Sequence, residues 1–145
     1  MTDLTELYQQ VIIEHNRAPR NFRTLTDANG TAEGDNPLCG DRINLQVRVD
    51  GGVISDIGFQ GSGCAISRAS ASLMTAAVHG RTTAEADKLF HAFHGMVTAH
   101  PDVPVDTALL GKLAALSGVR RFPGRVKCAT MAWHTLQDAI GGSGR

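Results

Sequence analysis

No run of 18 or more apolar residues occurs in the sequence, which argues against a helical membrane span. The opening stretch, MTDLTELYQQVIIEH, carries acids early and has no apolar block ending in small residues, so it does not read as a secretory leader. A cytoplasmic location is the expectation that follows. Excess charge is missing too: Lys and Arg number 14, and Asp and Glu 14. Without a net field there is little to hold nucleic acid or an anionic membrane, and neither is expected as a partner. Repeats and linkers are absent as well, and 145 residues suffice for one hydrophobic core, so a single domain over 1–145 is expected. Cysteines are few and odd in number, three in all. Kept free in a reducing compartment, they point to metal binding or sulfur chemistry before a disulfide framework.

What is present is a globular composition, 42% apolar and 19% charged. Asp3 can cap a first helix in which Leu4, Leu7, Tyr8, Val11, Ile12 and His15 recur at helical spacing. It ends near RAPRNF, where Pro19 disfavours helix in the residue before it. NGTAEGDNPLCGD is a loop or one short strand leading into Cys39. In RINLQVRVD the apolar Ile43, Leu45, Val47 and Val49 alternate with polar residues, the mark of a half-buried strand. Asp50-Gly51-Gly52 signals a turn, and VISDIGFQG returns as a second strand. This antiparallel hairpin begins beside Cys39 and ends beside Cys64, so its pairing brings both cysteines to one end.

AISRASASLMTAAVHG then places Ile66, Ala69, Leu73, Met74 and Ala77 on one helical face, with Gly80 ending it. Thr82 and Glu85 form a capping-box pattern ahead of EADKLFHAFHGMV. TAHPDVPVD is a loop. Asp106 can cap a helix over TALLGKLAALS that stops at Gly118, and VRRFPGR is a loop. RVKCATMAWHTLQDAI is a last helix, apolar at Val126, Ala129, Trp133, Leu136 and Ile140, and the tail GGSGR is expected to fray. The architecture predicted is α+β, a small antiparallel sheet with helices packed on one face.

Cys64 and Cys128 each fall at or just inside a helix start after a glycine-bearing loop. Free N–H groups and the positive helix end favour a thiolate there. Gly61 and Gly63 let the backbone turn tightly and leave the sulfur uncovered. At Cys39, the Cys39-Gly40-Asp41 turn can aim a sulfur and a carboxylate at one point. Three thiolates and a carboxylate make the four ligands of tetrahedral zinc; the same cysteines can also hold an iron–sulfur cluster. The spacing is not that of a zinc finger, since 24 residues lie between the first two cysteines and 63 between the next two.

Other residues are weaker candidates. Arg125 and Lys127 flank Cys128, with Arg120 and Arg121 upstream. They read as thiolate support, as a docking patch, or as a solvated loop. His91, His94 and His100 form a loose group that no carboxylate or cysteine completes, so they read as surface histidines. His15 reads as a satisfied boundary residue, Trp133 and His134 as packing and surface, and Met74 and Met131 as core filling. GFQGSG lacks the Gly-Lys-Ser/Thr of a phosphate loop. Asp35 and Asp41 are not placed together with a proton to move. A zinc hydrolase would need an open coordination position and a general base, and none is evident.

The motifs N-P-x-C-G-D, G-x-G-C-x-I-S-x-A-S-x-S-x-M and R-x-K-C-A-T-x-A-W, with the opening LYxxVIxxHxxxPRNF, resemble the U-type iron–sulfur assembly family. It comprises IscU scaffolds and SufU sulfur acceptors, and the likeness covers nearly the whole chain. It is nearer the SufU type in two respects. Between Cys64 and Cys128 the chain looks longer than an IscU scaffold by roughly 15–20 residues, about one helix and a loop, around TAHPDVPVDTALLGKLAAL. The residue before the third cysteine is Lys127, where IscU scaffolds carry histidine; an ammonium cannot ligate metal. FPGRVK matches the IscU chaperone-docking stretch poorly.

The resemblance implies a three-stranded antiparallel sheet and zinc on Cys39, Asp41, Cys64 and Cys128, with Gly40, Gly63, Arg125 and Lys127 in support. It implies Cys39 as the acceptor of persulfide sulfur from a SufS-type cysteine desulfurase, downstream iron–sulfur assembly proteins as further partners, and a monomer or weak homo-oligomer. The alternative it carries is an IscU-like scaffold building a [2Fe–2S] cluster, or binding iron, on the same cysteines. Cys39 precedes a strand, so its loop should move more easily than the two helix-anchored ligands. Zinc exchanges ligands without a strong geometric preference, which suits a swap of that kind.

Overall fold

The structure, a computed structural model, describes residues 2–141, with side chains from Glu6 onward. The glycine-rich tail beyond Gly141 lies outside the described residues. Helix α1 spans Thr2–Arg17, so Asp3 sits within its first turn, and its side chain lies outside those described. Strands β1 (Gly30–Asn36), β2 (Asp41–Asp50) and β3 (Val53–Ser62) form an antiparallel sheet in that order. The stretch left open between loop and strand is thus a seven-residue strand, β1, on the sheet edge.

Strict alternation in β2 puts Asp41, Ile43, Leu45, Val47 and Val49 on the buried face. Val47 pairs with Ile57 and Leu45 with Phe59, so β3 adds its large residues to the same face. Helix α5 (Val126–Gly141) lies across that face and buries Ala129, Ala132, Trp133, Leu136 and Ile140. Trp133 stacks on Phe93 of α3 (Thr83–Thr98) with ring centroids 5.2 Å apart. The capping box holds: Glu85 N–H donates to Thr82 Oγ1, and Thr82 N–H donates to Glu85.

Helix α2 (Ala65–Val78) buries a polar seam as well as its apolar face: Ser67, Ser70, Ser72 and Thr75 are all interior. Each finds a partner, as buried hydroxyls must. Ser70 donates to the Ala129 carbonyl of α5, and Thr75 donates to the Ser72 and Arg20 carbonyls. His15 is interior, 2% exposed, with Nδ1 2.7 Å from Ser72 Oγ, so it is satisfied but lies deeper than a boundary residue. Met74 is core, whereas Met131 is partly buried against it.

The helix expected after Asp106 is corrected. Asp106 does cap it, accepting from Leu109 N–H at 3.1 Å, but only one α-turn, α4 (Thr107–Leu110), follows. Gly111 takes φ +56°, a left-handed conformation that ends the α ladder. The chain continues as 3-10 turns over Gly111–Arg121 and Pro123–Arg125, so most of the expected loop VRRFPGR is 3-10 as well. Burial explains the choice: Leu113, Ala114, Ala115, Leu116 and Val119 all reach the interior, and packing overrides intrinsic α preference. Among the described residues no helix is long and apolar enough to cross a membrane.

Candidate metal centre

Register builds the site. The last residue of β1, Asn36, pairs with the first of β2, Asp41, and the turn between them carries Pro37, Leu38, Cys39 and Gly40. Gly40 has φ +70°, which only glycine adopts at little cost, and it turns the chain back so that Cys39 and Asp41 face one point. On the other side of β2, Arg42 pairs with Ser62, the last residue of β3, so the chain leaves the sheet beside Asp41. Cys64 is the N-cap residue of α2, and its N–H donates to Asp41 Oδ1 at 2.8 Å. Cys128 is the third residue of α5, fully buried, under the β1–β2 turn.

Two sulfurs and the carboxylate meet there, those of Cys39, Cys128 and Asp41, and Cys64 stands outside that group. Cys39 Sγ and Cys128 Sγ are 3.3 Å apart, too far for a disulfide bond and close to the edge of a tetrahedral thiolate pair, about 3.8 Å for metal–sulfur bonds of about 2.3 Å. Single ligand atoms of Cys39, Asp41 and Cys128 all lie within 4.8 Å of one another. Cys64 Sγ stands at the rim, 4.0 Å from Asp41 Oδ2. All three cysteines are free thiols.

The electrostatics are those of a cation site. Burial pushes the Asp41 carboxyl up, but the Cys64 N–H, then Cys128, Ser67 and Asn36, outweigh it and hold the group below the ordinary carboxylate value. Asp41 is therefore ionised with no cationic side chain bonded to it. Burial, then the neighbouring Cys39, Asp41 and Cys64, pushes the Cys128 thiol up. Sulfurs crowded on a buried carboxylate cannot all ionise against each other. A divalent cation among them reverses the sign of those interactions, so the donor set fits such an ion.

The supporting residues divide. A Cβ on Gly63 would lie 2.3 Å from Asp41 Oδ1 and 2.7 Å from Ser67 Oγ, so only glycine lets α2 start this close to the carboxylate. Arg125 is exposed but faces the sulfurs: its hydrogen bond to Cys128, then Cys64, Cys128 and Cys39 as charges, draws its pKa further up. Lys127 is exposed and lines a groove of about 400 Å³ with Leu38 and β1. Arg120 is no free surface cation; it donates to the Val103 carbonyl at 2.7 Å and to Ser117, tying down the 100–103 loop. His91 and His100 each sit 3.5 Å from a local aspartate, and among the described residues no histidine joins a metal-binding group. GFQGS is the end of strand β3 rather than a loop, and Asp35 lies exposed beside Arg42.

Asn36 was not singled out by sequence reasoning. It is 6% exposed, and its amide donates to Asp41 Oδ2 at 3.3 Å and to Cys128 Sγ at 3.7 Å. Ser67, 4% exposed and close to Asp41, was likewise missed. The signal available was Asn36 directly before Pro37 in the cysteine motif, but only β1–β2 register shows that it points inward.

This combination of a three-stranded sheet with helices on one face and a Cys39–Asp41–Cys128 cluster at the sheet end, with Cys64 at its rim, defines a class. Residues 7–129 match the NifU-like N-terminal domain, and the chain belongs to that family. It is 41% identical to the zinc-dependent sulfurtransferase SufU of Bacillus subtilis (strain 168), over 95% of this chain and 92% of that one. It is also 41% identical to the iron–sulfur cluster assembly scaffold protein IscU of Streptococcus pyogenes serotype M1, over 97% of this chain and 86% of that one. Among solved structures, it matches a candidate iron–sulfur cluster assembly scaffold protein for the SUF system from Fervidobacterium islandicum AW-1 with TM-score 0.82. That match is 32% identical and covers 90% of this chain and 93% of that one.

Proposed function

We propose that the protein serves iron–sulfur cluster assembly as a zinc-dependent sulfur acceptor, taking persulfide sulfur from a SufS-type cysteine desulfurase in the cytoplasm. The observation that carries this reading is the donor set: the Cys39 and Cys128 thiols and the ionised Asp41 carboxylate at one end of the sheet, with the Cys64 thiol at the rim. Cys39, Asp41, Cys64 and Cys128 would hold the zinc, within one domain. When bound, zinc keeps the sulfurs as thiolates at neutral pH and is redox-inert.

The chain's own residues supply the rest. Asn36 and the Cys64 N–H fix the carboxylate, and the rigid starts of α2 and α5 fix Cys64 and Cys128. Cys39 rides on a turn and is only partly buried, so it can swing toward a partner. Its thiolate attacks the outer sulfur of the desulfurase persulfide. A sulfur–sulfur bond forms on Cys39 as the one on the desulfurase breaks, and the desulfurase cysteine leaves as thiolate. Proton and electron counts balance without an oxidant. Arg125, facing the sulfurs, lies where it would steady the anionic product.

A second reading is a scaffold that builds a [2Fe–2S] cluster on the same cysteines; the equal identity to the Streptococcus pyogenes IscU favours it. Desulfurase turnover with and without this protein separates the two. A colourless zinc protein that raises turnover supports the acceptor. A brown protein with a stable cluster and no effect on turnover supports the scaffold.

A further inference from the structure

A second site lies away from the sulfurs. A cavity of about 230 Å³ opens between α1, α2 and the 3-10 segment, and shares no residue with the cysteine cluster. Leu73, Leu110 and Leu113 make its apolar wall, and His15, Arg20 and Lys112 its polar one.

The hydrogen bonds of His15 assign its proton. Ser72 Oγ is fully buried and has two partners among the described residues: the Arg20 backbone N–H, 2.7 Å away, and His15 Nδ1, also at 2.7 Å. The Arg20 N–H can only donate, and Nδ1 is the one acceptor beside the hydroxyl among its partners, so donation to Nδ1 is the arrangement that leaves no buried proton unpaired. A neutral ring then carries its own proton on Nε2. Burial, followed by the charge of Arg20, keeps His15 neutral by lowering its pKa, with Lys112 adding to this and Glu14 opposing it.

No described residue bonds Nε2. Yet the atom is not sealed in protein, because Trp133 Nε1 is the only buried, unpartnered side-chain nitrogen or oxygen among the described residues. The ring is only 2% exposed and lines the cavity, which makes Nε2–H the ring donor left for a ligand there. The polar wall therefore offers donors only. Lys112 has no partner among the described residues. Arg20 bonds Glu14 at 3.3 Å and the Ala18 carbonyl at 2.6 Å, which leaves other guanidinium protons free.

We propose that this cavity binds a small aliphatic carboxylate, its head on His15 Nε2–H, Arg20 and Lys112 and its tail on Leu73, Leu110 and Leu113. An all-donor wall selects an anion, and a planar carboxylate matches the guanidinium fork. An apolar opposite wall selects a hydrocarbon body. At roughly 30 Å³ per water-sized unit the space holds about eight non-hydrogen atoms, the size of hexanoate.

The test is an amide NMR titration of the zinc-loaded protein with hexanoate, hexan-1-ol and inorganic phosphate. Hexanoate should give saturable shifts confined to residues 15–20, 72–77 and 110–113, with a Kd below about 10 mM. Hexanol and phosphate should each bind at least about tenfold more weakly. Lys112→Glu, a change on an exposed side chain whose intact fold the same amide spectrum checks, should weaken hexanoate about tenfold and leave hexanol unchanged. Equal binding of hexanol would reduce the site to an apolar hole, and equal binding of phosphate to a cationic patch. Either result overturns the proposal, as does an absence of saturable shifts or an unchanged hexanoate affinity in Lys112→Glu.

Discussion

Cys39 and Cys128 have sulfurs 3.3 Å apart but are supported in opposite ways. Cys128 is anchored in the first turn of a sixteen-residue helix and is fully buried. Cys39 hangs from a four-residue turn whose Leu38 is 82% exposed, held by a backbone bond of 3.2 Å to the Asn36 carbonyl. One half of the site is thus packed into a helix, and the other lies on an exposed turn, which we read as a fixed half and a movable half. The fixed half would retain a metal, and the movable half would meet a partner.

The strongest way to break this comparison is to delete each sulfur in turn. Cys128→Ala should abolish zinc retention, because it removes the buried anchor and leaves Asn36 and Asp41 facing a void. Cys39→Ala should leave weakened but measurable zinc binding. Chelator competition on both variants ranks them, and equal loss would erase the distinction. Next in size is Asn36→Leu, which strips the amide from Asp41 and Cys128. Zinc affinity should fall about 10–100-fold in the same assay, the usual cost of losing a partner that orients metal ligands. An unchanged affinity would remove Asn36 from the account.

Gly63→Ala probes how closely α2 must approach. Its Cβ forces Asp41 or Ser67 aside, and chemical denaturation should show a loss of about 1–3 kcal/mol. The smallest effect lies far from the sulfurs. His15 titrates below its ordinary value of 6.5 because the folded protein buries it neutral, so the unfolded chain takes up its proton first. Its contribution is therefore full above pH 6.5 and is lost as the pH falls below that value. Denaturation midpoints should drop on acidification from pH 7 toward 5, and by less in His15→Gln.

Much of the frame is readable from the chain alone. Period-two apolar residues from Ile43 to Val49 and the following turn give the hairpin, and the hairpin brings Cys64 to Asp41, two residues beyond Cys39. Capping chemistry at Thr82 and Glu85 is local and therefore visible. The segment after Asp106 was not, because its 3-10 path is chosen by the burial of Leu113, Leu116 and Val119, which is a tertiary choice. Asn36 escaped notice for a similar reason. β1 is rich in glycine and polar residues, and its inward and outward faces exist only once it pairs with β2. The donor-only cavity at His15 depends on Ser72 and Lys112, from elements far apart in sequence.

On the function proposed above, the Cys39 thiol takes the sulfur while Cys64 and Cys128 stay with the metal. Mass mapping of the cysteines after a single exposure to a desulfurase and cysteine tests it most directly. One added sulfur atom is expected on the peptide carrying Cys39 and none on those carrying Cys64 or Cys128. Sulfur on Cys128 or Cys64, with Cys39 unmodified, would contradict it.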